Sequence, residues 1–207
     1  MARTATIRKE DIFSSAIDFV RKRGFALLSA RSLAAKMKMS TQPIFSYFGS
    51  MEGLKQEVYE YVKGRYVEYI KEGLNNEKPF IGVSMAYINF ARKEKEFYKL
   101  LFLTKQKDYV GGARFSLKIS QDLISDYINK KFDIKLEVVD HYFQIIWLIL
   151  SSIANQIVND DWDHSDEEVI KVIEETGIAF YKAYKEIPGF ADGTYNEPEL
   201  IKYLISE

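Results

Sequence analysis

The chain has 207 residues, no cysteine and only two histidines. With 47% apolar and 14% aromatic residues it has the composition of a folded globular protein, which excludes disorder over most of its length. A chain without cysteine has no disulfides, no thiolate metal sites and no cysteine nucleophiles. His141 and His164 are therefore its only imidazole ligands or bases.

The formal net charge of -1 is unevenly distributed along the chain. Residues 1–50, the head, contain nine Lys/Arg against three Asp/Glu, a balance of +6. Residues 51–207, the body, contain 20 against 27, a balance of -7. This asymmetry indicates an anionic partner for the head, with nucleic acid and an anionic membrane as the candidates. The start of the chain lacks the apolar segment of a secretory signal, and the longest apolar stretch, 142–150, is about half as long as a membrane span. We therefore expect a cytoplasmic protein that does not bind a membrane.

Apolar residues recur at helical spacing nearly throughout, which predicts an all-α protein. In the head, residues 12–20 form one apolar face of a first helix, and two short helices follow. In the third helix we expect Phe45 and Phe48 to face the other two helices. The residues that mark the helix boundaries in the head are Gly24 as a C-cap, Ser29 and Ser40 as N-caps, and Pro43 in a first turn.

The body continues the helical pattern. A long helix runs from Ser50 to about Gly73, and Pro79 begins the next. Ser165 and Glu168 form a capping box for a late helix ending near Tyr184. Further helices are predicted over 97–103, 115–132 and 136–158, with a short one over 197–206. The helix 136–158 is apolar almost all round, so it must be covered by the core or by another chain.

Three short helices on a basic segment of this length are typical of a helix-turn-helix DNA-binding domain. The third helix offers polar groups for base edges and phosphates at Thr41, Gln42, Ser46 and Tyr47. The start of the second helix, 29–31, offers backbone N–H groups to a phosphate, and Arg8 extends this contact.

The order and spacing of residues over about 8–58 resemble the N-terminal domain of TetR-type transcriptional regulators. The residues that carry this resemblance are Ile12, Ala16, Gly24, Phe25, Ser29, Leu33, Ala34, Ser40, Thr41, Gln42, Ile44, Phe45, Phe48, Ser50 and Leu54. The resemblance implies a DNA-binding domain over 1–50 and a helical ligand-binding and dimerisation domain over 51–207. The DNA-contacting residues that follow from it and from the chemistry above are Arg8, Ser29, Arg31, Thr41, Gln42, Pro43, Phe45, Ser46, Tyr47 and Lys55.

The resemblance also implies the partners. A homodimer, formed through helices 136–158 and 167–184, would read a palindromic operator in double-stranded DNA. A small-molecule effector would bind the body and release the operator, so that the protein acts as a repressor.

Three residues depart from the pattern of that family. Lys38 stands where the turn commonly has glycine, Phe45 replaces a tyrosine, and Met51 replaces a lysine. Lys55, one turn later, is positioned to compensate for Met51. These departures leave open a second hypothesis, a small-molecule binding or sequestering protein with a degenerate DNA-binding head.

Aromatic residues at helical spacing in the body suggest either core packing or a ligand pocket. The candidate ligand contacts are Tyr87, Phe90, Phe102, Phe115, Tyr127 and Trp147. The acidic segment 160–168 around His164 has the composition of a metal site or of an enzyme centre, but the capping box explains it without either. We expect no catalytic residues, no metal and no cofactor.

Overall fold

The computed structural model describes residues 7–104, 113–132, 136–161, 164–190 and 194–195, with the side chains at 113–116, 126, 128, 131–132 and 136–137 left out. These residues form nine α-helices and no strand, as the apolar spacing predicted. The helices are α1 (Lys9–Arg23), α2 (Ala30–Met37), α3 (Gln42–Phe48), α4 (Met51–Leu74), α5 (Pro79–Lys93), α6 (Lys95–Tyr98), α7 (Ala113–Phe132), α8 (Leu136–Val158) and α9 (Asp166–Glu186). A 3-10 turn, Phe25–Leu27, precedes α2, and a π-helical turn, Lys99–Leu103, follows α6.

The chain divides into two compact units. The first contains Met1–Tyr69 and Asn89–Ser116, and the second contains Ile70–Ile88 and Leu117–Glu207. The basic head lies entirely within the first unit, together with most of α4 and with α6. The functional division at residue 50 stays a prediction, since the first unit also includes parts of the body.

Local sequence signals account for the helix boundaries in the head. α1 ends at Arg23, where Gly24 adopts a φ of 86°. A Cβ at Gly24 would lie 2.6 Å from Glu96 Oε2, the end of a flexible side chain that can move, so the positive φ is what favours glycine at this position. α2 begins after Ser29, whose Oγ accepts a hydrogen bond from the Ser32 N–H (3.1 Å). For α3 the predicted cap is wrong by one residue, because Thr41 and not Ser40 precedes the helix.

The buried face of α3 differs from the one we predicted. Ile44 and Phe48 are buried against the head core, whereas Phe45 is 45% exposed. The prediction that Phe45 faces the other two helices is therefore wrong, and that for Phe48 is confirmed. Ile44 and Phe48 are four residues apart, so their side chains lie on one face of the helix.

The turn between α2 and α3 contains a non-glycine residue in the left-handed region. Lys38 has φ 53° and ψ 43°. The turn closes α2 through a hydrogen bond of 3.0 Å from the Met39 N–H to the Ala34 carbonyl. A side chain at such a position destabilises the fold by about 1 kcal/mol relative to glycine.

Lys38→Gly should therefore raise the free energy of unfolding by about 1 kcal/mol, because glycine adopts this conformation without the Cβ clash. Urea unfolding followed by circular dichroism measures the change. Lys38→Ala is the matched control, since it removes the charge and keeps the Cβ. Equal stabilisation by alanine and glycine would contradict the backbone explanation.

The second unit contains α8 and α9, which pack against each other. Ser165 and Glu168 form the predicted capping box, with the Ser165 N–H donating to Glu168 Oε2 (2.8 Å). Most apolar residues of α8 are buried within the chain, but Leu148 is 62% exposed. On α9, Ile178 is 61% exposed and Tyr181 44% exposed. These three side chains, which we call the α8/α9 patch, leave apolar surface on the two helices predicted to dimerise.

None of the helices in the described part of the chain is long and apolar enough to cross a membrane. The predicted helix over 197–206 lies outside the described residues.

Candidate nucleic-acid interface and ligand cavity

Two buried side chains determine which surface of α3 is exposed. Ile44 and Phe48 hold the helix on the head core, which turns Gln42, Ser46 and Tyr47 outward. Thr41 and Pro43 are half-buried at the start of the helix. This surface offers an amide and a hydroxyl, the groups that pair with base edges and phosphates, beside the apolar ring of Phe45.

Two predicted phosphate contacts are already engaged inside the head. The Tyr47 hydroxyl donates to the Ile7 carbonyl (2.9 Å), so a phosphate contact from this donor requires that bond to break. The Arg8 guanidinium donates to both carboxylate oxygens of Asp11, at 3.1 and 2.8 Å. This pairing raises the pKa of Arg8 and lowers that of Asp11.

Ser29 and Arg31 lie at the start of α2 with different environments. The Ser29 hydroxyl is occupied by the cap, since it contacts both the N–H and the Oγ of Ser32. Arg31 is exposed and has no ionic partner among the described residues, so its guanidinium is available to an external phosphate. Lys55, on α4, places its ammonium over the Phe25 ring at 5.5 Å.

Part of the positive charge of the head is neutralised internally. Lys36 and Lys22 both contact Asp18, at 2.7 and 2.9 Å. Their hydrogen bonds lower the pKa of Asp18 to about 2. The balance of +6 already includes Asp18, so these pairs do not lower the net charge of the head, but they engage two of its cations, whereas Arg31 has no ionic partner among the described residues.

An aromatic cluster occupies the core of the first unit. Phe90 and Tyr66 are fully buried, with ring centroids 5.3 Å apart, and Phe102 packs 5.4 Å from Tyr66. Phe102 also contacts Tyr98, whose ring centroid lies 4.5 Å away. The candidate ligand contacts Phe90 and Phe102 are thus members of a packed cluster.

A cavity of about 800 Å³ lies in the second unit, between the start of α5 and helices α7, α8 and α9. Its size is typical of small-molecule sites. Tyr127 is the predicted ligand contact that lines it, and Tyr87, Phe90, Phe102 and Trp147 do not. Most of the lining comes from residues that the sequence reasoning did not single out, on the facing sides of α5, α8 and α9.

One signal that the sequence analysis did not use could have indicated a residue near this cavity. Gly177 lies inside α9, where a glycine costs about 1 kcal/mol relative to alanine and so indicates a packing reason. In the structure a Cβ at Gly177 would lie 3.0 Å from the Tyr142 hydroxyl. Gly177 therefore leaves space for the hydroxyl of Tyr142, a residue that lines the cavity.

The remaining candidate ligand contacts have different surroundings. Tyr87 is buried in the second unit. The Trp147 indole N–H is buried without a hydrogen-bond partner among the described residues, and Trp147 is not part of the cavity lining. The side chain of Phe115 lies outside those described.

The acidic segment before α9 has a structural explanation in the described residues. Ser165 caps α9, and Asp166, Glu167 and Glu168 lie in its first turn, where the helix dipole favours negative charge. His164 Nε2 lies 2.7 Å from Gln156 Oε1. Asp163 lies outside the described residues.

The described helices form an all-α protein with a three-helix, helix-turn-helix head, and solved structures share this architecture. A TetR-like transcriptional regulator from Rhodococcus sp. RHA1 superposes with a TM-score of 0.65 at 15% identity, covering 90% of this chain and 99% of its own. A putative TetR-family regulator from Vibrio parahaemolyticus has a TM-score of 0.58 at 17% identity, covering 84% and 98%. The multidrug binding protein EbrR, complexed with proflavin, has a TM-score of 0.53 at 14% identity, covering 82% and 99%.

No protein-family model and no curated protein matches the chain by sequence. At identities of 14–17% the structural likeness establishes the fold. The chain has the fold of the TetR-family transcriptional regulators, as its N-terminal residues indicated.

Proposed function

We propose that the protein is a ligand-responsive, DNA-binding transcriptional regulator. The observation that carries this proposal is the outward face of α3, where Gln42, Phe45, Ser46 and Tyr47 are exposed on a helix anchored by buried neighbours. A helix of this kind enters the major groove in helix-turn-helix proteins. The basic balance of residues 1–50 supplies the attraction to the phosphate backbone. With DNA as its partner the protein would work in the cytoplasm, as a binding protein and not as an enzyme.

Dimerisation through helices 136–158 and 167–184 forms part of the proposal. The exposed apolar side chains of the α8/α9 patch support it, because a second copy would remove them from water. Two heads related by a two-fold axis would read a palindromic operator, with their α3 helices about 34 Å apart or a multiple of that distance.

We further propose that a small molecule releases the operator, so that the protein acts as a repressor. The cavity in the second unit supports ligand binding, and EbrR, which shares the fold, is a multidrug binding protein complexed with proflavin. The ligand would favour one arrangement of the dimer and the operator another. A coupling free energy of about 1–3 kcal/mol changes operator affinity roughly 5- to 150-fold.

Fluorescence anisotropy with DNA from the region upstream of the encoding gene tests the proposal. We expect binding that weakens with salt and prefers an inverted repeat over unrelated DNA of the same length. Binding that lacks sequence preference at every salt concentration would contradict it and would favour the sequestering protein with a degenerate head.

The residues of the interface have separable roles. Gln42→Ala should reduce the preference for operator over unrelated DNA by roughly 5- to 100-fold, because it removes contacts with base edges. Arg31→Ala should weaken binding to both DNAs equally and lower the salt slope by about one, because it removes a phosphate contact. Lys171→Ala, which removes a charge on α9, is the matched control and should change neither quantity. Equal effects of the first two substitutions on both quantities would contradict these assignments.

A further inference from the structure

The walls of the cavity in the second unit are aromatic. Phe80 stacks on Tyr142 with ring centroids 5.3 Å apart, and the Phe180 ring centroid lies 4.6 Å from that of Tyr142. Ile81 and Ile173 add aliphatic surface to the lining. A cavity with such walls favours a molecule with an apolar, ring-bearing or hydrocarbon body.

The wall contains one buried polar group without a partner. The Tyr142 hydroxyl has no hydrogen bond among the described residues, and the residue is only 9% exposed. A tyrosine hydroxyl is already neutral at physiological pH, and burial raises the pKa of this one further. The oxygen is enclosed and lies close to Gly177 of α9, so the ring and not the hydroxyl forms the accessible part of the wall.

The cavity lining contains more positively charged than negatively charged side chains. Lys78 and Glu174 form an ion pair of 3.2 Å, so the one carboxylate in the described part of the lining already has a partner. Lys182 lines the same cavity, is exposed, and has no ionic partner among the described residues. The lining therefore has one surplus positive charge beside an apolar interior.

From the aromatic walls and the surplus charge we infer that the cavity binds an apolar organic anion, with its body against Phe80, Tyr142 and Phe180 and its acidic group at Lys182. A carboxylate or sulfonate fits the surplus charge of the lining. That such an anion is the effector depends on the proposed function. That the cavity binds an anion of this class depends only on the residues of the cavity.

A pair of fluorescent probes tests the inference on the full-length protein. 8-Anilinonaphthalene-1-sulfonate is an aromatic anion, and N-phenyl-1-naphthylamine has the same ring system without the charge. We expect Lys182→Gln to weaken binding of the sulfonate about 3- to 5-fold and to change binding of the neutral probe less than about twofold. Glu174→Gln should strengthen sulfonate binding, because it removes a repelling carboxylate and frees Lys78. Lys171→Gln, on the same helix but outside the cavity lining, is the control and should affect neither probe.

A third substitution distinguishes the cavity from surface binding. Gly177→Val places a branched side chain against the Tyr142 hydroxyl and should push the ring into the cavity, so that both probes bind more weakly. Unchanged sulfonate binding in Lys182→Gln, or an equal loss of both probes, would overturn the inference. Sulfonate binding that survives in folded Gly177→Val would also overturn it, since the probe would then occupy the surface. If Gly177→Val does not fold, the opposite effects of Lys182→Gln and Glu174→Gln on sulfonate binding still test the inference.

The probe titrations contain no DNA, so the two proposals fail separately. Absence of operator binding in the anisotropy assay, with the expected probe pattern intact, would refute the regulator and leave the ligand class standing. If the protein binds operator but probe affinity does not depend on the charge of residues 174 and 182, the ligand class is refuted and the regulator is not.

Discussion

We expect Phe90→Ala to lower the free energy of unfolding by about 3–5 kcal/mol. Phe90 is 0% exposed, and its ring contacts the rings of Tyr66 and Tyr69, each with a centroid separation of 5.3 Å. The substitution removes the buried ring and leaves a cavity that its rigid neighbours fill only in part. Urea unfolding at a fixed protein concentration, followed by circular dichroism, measures the loss.

Phe45→Ala is the matched control, because it makes the same chemical change on an exposed surface. Phe45 is 45% exposed on α3, so we expect its replacement to change stability by less than about 1 kcal/mol. A loss from Phe90→Ala no greater than that from Phe45→Ala would show that the aromatic cluster does not stabilise the fold.

The second large effect concerns the ion pair between Arg21 on α1 and Glu94, which precedes α6. Arg21 Nε donates to Glu94 Oε2 at 2.8 Å, and its guanidinium lies 4.9 Å from the Phe97 ring centroid. The Glu94 side chain is 8% exposed and that of Arg21 39% exposed. The hydrogen bond to Glu94 raises the pKa of Arg21.

Because the two partners differ in burial, their removal should have unequal effects. Arg21→Ala leaves a buried carboxylate without its counter-charge and should destabilise the protein by about 3 kcal/mol. Glu94→Gln leaves a guanidinium that water can reach, so its cost should be nearer 1 kcal/mol. The variants are compared by urea unfolding at one pH and protein concentration.

The double variant provides the decisive measurement. Arg21→Ala combined with Glu94→Gln should be more stable than Arg21→Ala alone, because no buried charge remains. Additive losses in the double-mutant cycle would show that the pair is not coupled and would contradict the proposed asymmetry.

The helix ends that were predicted correctly from the sequence are those determined by residues close by in the chain. Gly24, Ser29 and Ser165 each mark a helix end through a hydrogen bond or backbone conformation within a few residues, and all three predictions are confirmed. The error at Phe45 has a physical reason. Over a seven-residue helix, spacings of three and four residues both place side chains on one face, so Ile44 and Phe45 were equally compatible with Phe48. Contacts with the rest of the head decided between them.

The cavity could not be predicted in the same way. It brings together Lys78, Tyr142 and Lys182, which are far apart in the sequence and belong to different segments. Their proximity depends on how α5, α8 and α9 pack, which no local pattern encodes. The aromatic residues that the sequence did indicate, such as Phe90, pack instead in the cluster of the first unit.

Ile178 and Tyr181 belong both to the lining of the cavity and to the α8/α9 patch. Association of two copies through this patch would change the surroundings of side chains that also contact a bound molecule. By thermodynamic linkage, a molecule that prefers one association state must shift the monomer–dimer equilibrium, and protein concentration must shift the apparent affinity for that molecule. Affinities measured at nanomolar and at micromolar protein would then differ, and the cellular abundance of the protein would itself set its sensitivity.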